Sequence, residues 1–174
     1  MRDFVLKIEN LLSKDECQKL INTYKVGLVD DDLDTHMGYQ HYDITLGSIF
    51  FDKIDGVFDK IYNEYEKQFS EIKFTTDRFS VPKYRFKHFP PGKNFDIWHS
   101  EHQLDEQYRV LNFMLYLSDH NCGTEFYNGD VVKSVAGTGA LFPSYFTHTH
   151  KGQVCPDGKD RYLITGYLTF INGI

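Results

Sequence analysis

The sequence lacks any apolar run near the roughly 20 residues needed to span a bilayer. Its first ten residues mix charged and apolar side chains and lack the layout of a secretory signal. Both absences favour a soluble, cytoplasmic protein with no membrane partner. Basic residues are in the minority, with 19 Lys and Arg against 25 Asp and Glu and a formal net charge of −6. This balance argues against nucleic acid as a partner, because binding it usually needs a basic surface.

Cysteine is also scarce: the 174 residues contain only Cys17, Cys122 and Cys155. The count is odd and no pair has C-x-x-C spacing, so neither a disulfide framework nor a zinc ribbon is predicted. We therefore expect reduced thiols. No repeat, low-complexity segment or flexible linker divides the chain, and 41% hydrophobic residues suffice for one core. The sequence predicts a single domain over residues 1–174.

The first part of the chain carries helical signals. Ser13 and Glu16 form the sequence pattern of a capping box, with Leu12 placed for a hydrophobic staple. Apolar residues then recur at helical spacing in two segments. The first segment contains Cys17, Leu20, Ile21 and Tyr24, and the second contains Ile54, Val57, Phe58, Ile61, Tyr65 and Phe69. We predict that both stripes pack into the core.

From Phe79 onward the pattern is typical of strands. Short stretches rich in β-branched and aromatic residues alternate with turn clusters, and Asn128-Gly129 is a hairpin signal. Strands at this spacing indicate a sandwich or barrel. The predicted fold is mainly β with N-terminal helices (α+β), with a double-stranded β-helix (a cupin-like jelly roll) as its core. We expect residues 1–78 to form a helical support region and residues 79–174 the jelly-roll catalytic core.

One short motif indicates metal chemistry. In a strand, residues two apart share a face, so His99 and Glu101 of the segment Trp98-His99-Ser100-Glu101 would project together. A third ligand could come from His148 or His150, which both lie far along the chain. Two histidines and one carboxylate on one face of an octahedral ion leave three positions open, as in non-haem iron(II) oxygenases.

About half the chain, from Tyr84 to Thr169, resembles the catalytic core of the iron(II)- and 2-oxoglutarate-dependent dioxygenases, in their prolyl 4-hydroxylase-like branch. The resemblance rests on short elements that occur in the same order and spacing. They are Phe89-Pro90-Pro91-Gly92, His99-x-Glu101, Arg109-Val110-Leu111, Met114 to Asp119, Thr124-Glu125-Phe126, Gly139 to Ser144, His150-Lys151-Gly152, Arg161-Tyr162 and Thr165-Gly166-Tyr167.

The resemblance implies a role for each matching residue. His99, Glu101 and His150 would bind the iron and form the catalytic centre, with His148 as the rival third ligand. Arg161, eleven residues after His150, would hold the far carboxylate of 2-oxoglutarate through its planar fork. Lys159 is the rival for that role. Tyr116 and Thr165 would assist at the same carboxylate, although core packing is an equally good interpretation of both.

The sequence departs from the family pattern in several places, one of which is a slightly long gap from Gly92 to His99. Glu101 stands where aspartate is usual, and Asn121-Cys122-Gly123 replaces a Gly-Gly-Glu segment. Phe89 replaces a tyrosine that precedes the Pro-Gly turn. These changes bear on cofactor geometry and substrate choice more than on metal binding, because glutamate offers the same oxygen ligands as aspartate.

The resemblance also implies an activity. The protein would use iron(II), 2-oxoglutarate and O2, with ascorbate as an optional addition, to hydroxylate an aliphatic C–H bond and release succinate and CO2. A peptidyl proline is the first candidate substrate, and a small molecule is the second. Tyr167 stands where related nucleic-acid demethylases have a second arginine, which again disfavours nucleic acid. The alternative function is a non-enzymatic, cupin-like protein that binds a metal or small ligand.

Overall fold

The computed structural model describes residues 3–30, 38–75 and 79–171. Within these ranges the chain is mainly β, with two α-helices and eleven strands. The helices are α1 (Lys14–Tyr24) and α2 (Phe51–Gln68). The strands are β1 (Leu6–Ile8), β2 (Val29–Asp30), β3 (Gln40–Ile44), β4 (Phe79–Ser80), β5 (Tyr84–Phe89), β6 (Arg109–Tyr116), β7 (Gly123–Phe126), β8 (Val131–Lys133), β9 (Gly139–Pro143), β10 (His150–Gly152) and β11 (Arg161–Phe170).

The strands form two antiparallel sheets. The large sheet has the order β1-β9-β6-β11-β5-β3-β2, and β4 adds to one end of β11. The small sheet has the order β10-β7-β8. The β7–β8 hairpin turns at Asn128-Gly129, where Gly129 has a φ of 94° that disfavours residues with a side chain. The sequence prediction of this hairpin is therefore confirmed.

Helix α1 forms where the sequence predicts it. The Ser13 hydroxyl accepts a hydrogen bond from the Glu16 backbone N–H, and the Glu16 carboxylate accepts one from the Ser13 N–H. These two bonds satisfy donors that a helix start would otherwise leave unpaired. The predicted apolar stripe, Cys17, Leu20, Ile21 and Tyr24, is buried.

Helix α2 also buries its predicted stripe. Ile54, Val57, Phe58, Ile61 and Tyr65 pack in one apolar cluster with the buried face of α1. The same cluster contains side chains of the central strands β6 and β11. Both helices therefore cover one face of the large sheet. No described helix is both long and apolar enough to cross a membrane.

The opposite face of the large sheet meets the small sheet. A second apolar cluster joins Phe126 and Val132 of the small sheet to Met114, Tyr116 and Leu163 of the large sheet. Side chains of a strand alternate between its two faces, so β6 and β11 each supply both clusters. The result is three layers, in which the central strands are covered on both sides.

The region before residue 79 contains more than helices. Strand β1 pairs with β9, and β3 pairs with β5, so both belong to the large sheet. The sequence pattern predicted only helical support here. β1 has only three residues, and the burial of β3 does not alternate, which explains why the sequence pattern did not reveal these strands.

The expectation that all three cysteines are reduced thiols is wrong for two of them. Cys122 and Cys155 form a disulfide, with their Cα atoms 5.1 Å apart, while Cys17 is free and buried. Thirty-three residues separate the partners, so no local spacing signal existed. The small sheet folds back and brings together the segments before β7 and after β10.

We predict that the unreduced, denatured protein exposes one thiol, that of Cys17. Alkylation in denaturant, read by mass spectrometry, should add one label without reductant and three with it. The variant Cys17→Ser should accept none without reductant. Three labels in the unreduced protein, purified without reductant, would show that the disulfide does not form in solution.

Candidate active site

The structure brings His99, Glu101 and His150 together, as their sequence pattern led us to expect. His99 and His150 exchange both backbone hydrogen bonds, with N···O distances of 3.0 Å and 2.9 Å. The Glu101 N–H donates to the carbonyl of Ser144, just after β9. These backbone bonds fix a short segment before β6 against β10, so the three side chains converge between the sheets.

The three side chains have a geometry suited to one metal ion. One ligand atom from each lies within 4.8 Å of the others. Glu101 Oε1 is 3.4 Å from His99 Nε2 and 3.8 Å from His150 Nε2. Neighbouring ligands of an octahedral ion with bonds of about 2.1 Å stand about 3 Å apart. A small contraction would therefore complete the site, and two nitrogens with one oxygen suit iron(II).

The hydrogen bonds behind the two imidazoles orient their metal-facing nitrogens. The Nδ1 atom of His99 lies 2.8 Å from the carbonyl of Ile97, and that of His150 lies 2.9 Å from the carbonyl of His148. A carbonyl only accepts, so each Nδ1 donates a proton to it, and each Nε2 is the ring nitrogen left for a metal. Both Nε2 atoms lie toward Glu101.

Protonation states at the site favour metal binding. Burial and the neighbouring charge of His99 lower the pKa of His150 to about 4, so its imidazole is neutral near pH 7. Burial raises the pKa of Glu101, but the hydrogen bond with His99 and the positive charges nearby outweigh this and hold it at about 2. A neutral imidazole and an ionised carboxylate are the forms that bind a metal.

His148 lies outside this group. It belongs to the short 3-10 segment Phe146–His148, and its Nε2 is 3.9 Å from Asp3 Oδ1. The equal parity of His148 and His150 would place both on one face of a continuous strand, but β10 begins only at His150. The contribution of His148 is its backbone carbonyl, which accepts the proton of His150 Nδ1.

Arg161 is a buried cation without a carboxylate partner among the described residues. Its exposed fraction is 2%, its Nε atom has no hydrogen-bond partner, and its Nη1 lies 3.5 Å from the carbonyl of Gln153. Burial lowers the pKa of the guanidinium below its ordinary value. An unpaired buried charge is costly, so this position suits an anionic ligand.

Of the other two residues expected to assist, Tyr116 lies beside Arg161 and Thr165 lies further along β11. Its guanidinium carbon is 5.8 Å from the centre of the Tyr116 ring, and the Tyr116 hydroxyl hydrogen-bonds with Thr124 at 2.7 Å. Thr165 lies four residues along β11 on the same face, and its buried hydroxyl has no partner. A carboxylate beside Arg161 would satisfy its Nε atom, and the unpaired Thr165 hydroxyl lies further along the same face, toward Tyr167. The residues present therefore fit 2-oxoglutarate.

Burial separates the two rival cations. Lys159 is exposed in the connection before β11, whereas Arg161 begins that strand and points between the sheets. Along the inner face of β6, Asn112 lies beside Glu101 and His150, and Tyr116 lies beside Arg161. The His-Glu-His group and the buried cation therefore lie near opposite ends of that face.

Sequence reasoning gave no role at the metal ligands to Arg109, Asn112 or Tyr167. Arg109 Nη1 is 3.0 Å from Glu101 Oε2, and Asn112 Nδ2 is 3.5 Å from both Glu101 Oε1 and His150 Nε2. Burial and the nearby charge of Glu101 raise the pKa of Tyr167. Asn112 lies four residues from Tyr116 in β6, and Tyr167 lies six residues from Arg161 in β11, so alternation along each strand could have placed them on the inner face. No such sequence signal existed for Arg109.

Solved structures with the same fold include prolyl hydroxylases and an oxidoreductase of the 2OG-Fe(II) oxygenase family. The viral collagen prolyl hydroxylase of Paramecium bursaria Chlorella virus-1, in a 2OG complex, has a TM-score of 0.73, 19% identity and 97% coverage of both chains. A prolyl-4-hydroxylase of Pseudomonas putida has a TM-score of 0.71 and 19% identity, covering 98% of this chain and 94% of its own.

A third similar structure is a Trichoplax adhaerens prolyl hydroxylase in complex with a peptide fragment of the hypoxia-inducible factor oxygen degradation domain. Its TM-score is 0.72 at 17% identity, and the match covers 97% of this chain and 84% of that one. No protein-family model matches the sequence, and no curated protein matches it. At these identities the likeness establishes the fold.

We predict that His150→Ala loses most of the affinity for a divalent metal, whereas His148→Ala keeps it. The side chain of His150 faces Glu101, but His148 contributes only a backbone carbonyl, which alanine retains. Calorimetric titration of Mn²⁺ into each variant measures the difference. Tighter binding by His150→Ala than by His148→Ala would reverse the assignment of the third ligand.

Proposed function

We propose that this protein is an iron(II)- and 2-oxoglutarate-dependent dioxygenase that hydroxylates an aliphatic C–H bond, with release of succinate and CO2. His99, Glu101 and His150 are its metal ligands and catalytic centre. Arg161 binds the far carboxylate of 2-oxoglutarate, with Tyr116 and Thr165 beside it. The single observation that supports this most is the pairing of a His-Glu-His group with a buried, unpaired cation in one interior.

Neither the His-Glu-His group nor the buried arginine alone indicates a 2-oxoglutarate oxygenase, but the two together do. A metal-binding protein without turnover needs no buried guanidinium beyond its ligands. An ordinary buried arginine has a carboxylate partner, which Arg161 lacks among the described residues. A dicarboxylate co-substrate with a keto group at one end meets both requirements at once.

The protein's own residues position and isolate the reactants. His99, Glu101 and His150 would hold the iron, and a group of three protein ligands would leave room on the ion for 2-oxoglutarate and O2. Phe126 and Phe142 pack against His150, with ring centres 5.9 Å and 5.0 Å away, so they exclude water from that side. Iron(II), 2-oxoglutarate and O2 supply the oxidising chemistry when bound, and ascorbate is an optional reductant.

The architecture proposed for this function is a jelly roll. The two facing antiparallel sheets, with the ligands between them, are the expected arrangement of a double-stranded β-helix. We infer that residues 1–174 form one oxygenase domain. Residues 79–174 form its catalytic core, and the helices within residues 1–78 support one face of the large sheet.

A peptide containing proline is the first substrate to test. Three structures of the same fold are prolyl hydroxylases, one described as acting on collagen and one bound to a peptide. A small molecule is the second class to test. The net charge of −6 argues against nucleic acid.

We expect His99→Ala and Glu101→Ala each to abolish iron-dependent succinate formation while the fold survives. Each change removes one of the three proposed metal ligands. Neither side chain belongs to the two apolar clusters, so we expect the fold to survive. Succinate release and circular dichroism should be measured on the same samples, with His148→Ala as the matched histidine control. A folded His99→Ala or Glu101→Ala protein with near-normal turnover would show that the metal assignment is wrong.

We expect Arg161→Ala to weaken 2-oxoglutarate binding without weakening metal binding. A hydrogen bond to a charged group contributes about 1.5–3 kcal/mol, which corresponds to roughly ten- to a few hundredfold in affinity. Calorimetric titration of 2-oxoglutarate into metal-loaded, oxygen-free protein measures this change. Pyruvate lacks the far carboxylate, so its binding should barely respond to the same substitution.

Lys159→Ala is the matched control and should change little, because Lys159 is exposed. Should Lys159→Ala lose 2-oxoglutarate while Arg161→Ala keeps it, the carboxylate partner is Lys159. Should neither variant matter and no succinate form, the oxygenase proposal fails, and the cupin-like metal or ligand binder replaces it.

A further inference from the structure

The two oxygens of the Glu101 carboxylate have different partners. Oε1 faces the imidazoles, at 3.4 Å from His99 Nε2 and 3.8 Å from His150 Nε2. Oε2 lies 3.0 Å from Arg109 Nη1. Only 11% of the Glu101 side chain is exposed, so water competes little for either oxygen. One oxygen is therefore free to bind a metal, and the other is engaged in a mostly buried ion pair.

Arg109 is itself fixed by two further contacts. Its Nη2 lies 2.7 Å from Glu106 Oε1, and its guanidinium carbon lies 3.7 Å from the centre of the Tyr167 ring. Stacking on an aromatic ring sets the plane of a guanidinium, which a lysine ammonium cannot reproduce. Arg109 thus presents Nη1 to Oε2 from a defined direction.

A bulge in the β6–β11 pairing brings Arg109 to this face. Leu168 is paired with Leu111, but the next residue, Thr169, is paired with Arg109, so Val110 is skipped. Val110 packs in the cluster beneath the helices, as Leu111 does. The extra residue shifts the alternation, and Arg109 joins the face of Asn112 although the two are three positions apart.

The state of the second oxygen matters because a glutamate can bind a metal through one oxygen or both. The His-Glu-His group leaves three positions on an octahedral ion when Glu101 uses one oxygen. If Glu101 used both, two positions would remain, and a bidentate oxo acid would occupy them. No position would then be left for O2.

We propose that Arg109, stacked on Tyr167, is a positioning residue that restricts Glu101 to one-oxygen metal binding and so preserves the third open position. This inference deepens the proposed function and rests on its metal site. It does not depend on which substrate is hydroxylated.

The test counts the water molecules bound to Mn²⁺, which needs no turnover. Water-proton relaxation of the Mn²⁺-loaded wild type should report about three bound waters, and about one once 2-oxoglutarate is added. Arg109→Gln should report about two bound waters without 2-oxoglutarate and about zero with it, because the freed Glu101 Oε2 also binds the metal. Arg109→Lys should change in the same direction, since the ammonium neither stacks nor forms the planar fork. This second variant retains the positive charge beside the buried carboxylate.

Arg85→Gln is the matched control. Arg85 also pairs with a carboxylate, at 2.7 Å from Asp43 Oδ1, but Asp43 is not a metal ligand, so the water count should equal that of the wild type. Unchanged counts in folded Arg109→Gln and Arg109→Lys would overturn the inference. A rise to about four waters with weaker Mn²⁺ binding would also overturn it, because Arg109 would then keep Glu101 on the metal rather than keep one oxygen off.

The outcomes for the two proposals are separable. A wild type that holds Mn²⁺ with about three waters but forms no succinate would overturn the oxygenase function and leave the role of Arg109 intact. A wild type that forms succinate, with variants whose water counts do not change, would overturn only the role of Arg109.

Discussion

The antiparallel pairing of β6 with β11 is the interaction on which the candidate site depends. Each strand sends alternate side chains into the apolar cluster beneath the helices and the others toward the small sheet. Burying the first set fixes the register, because a shift by one residue would exchange the two faces. That register places Tyr116 opposite Leu163 and Asn112 opposite Tyr167. The hydrophobic core thereby positions the polar residues.

The interior tolerates an unusual amount of charge because most of it is compensated. Glu101 lies among two imidazoles and the guanidinium of Arg109. Burial raises its pKa, but the hydrogen bond with His99 and the charges of Lys87, His99 and His150 keep it low. Arg161 is the exception, since its nearest acceptor is a carbonyl at 3.5 Å. A buried group left in this condition lowers the stability of the ligand-free protein and raises its affinity for an anion. The same unpaired charge of Arg161 therefore lowers the stability of the ligand-free protein and favours anion binding.

Contacts between the small sheet and the connection before β11 fix the backbone near Arg161. The Cys122–Cys155 disulfide joins the segment before β7 to the segment before β11. His120 bridges the same two segments, with Nδ1 2.8 Å from Asp157 Oδ2 and Nε2 2.9 Å from Ser118 Oγ. A disulfide across 33 residues stabilises the fold by about 3–4 kcal/mol in the chain-entropy account. These links fix the connection that leads into Arg161.

The sequence by itself determined the elements whose signals are local. A capping box, two apolar stripes, a hairpin turn and the spacing of His99, Glu101, His150 and Arg161 were all predictable, because each depends on residues close in the chain or on a resemblance of ordered motifs. Contacts between segments that are distant in the chain were decided only by the tertiary structure. It joined β1 and β3 to the large sheet and paired Cys122 with Cys155. It began β10 at His150, so His148 and His150 do not lie on one strand. It also placed Arg109 beside Glu101 through a bulge. Strict alternation along β6 would have placed Arg109 on the opposite face, so no pattern in the sequence could indicate that contact.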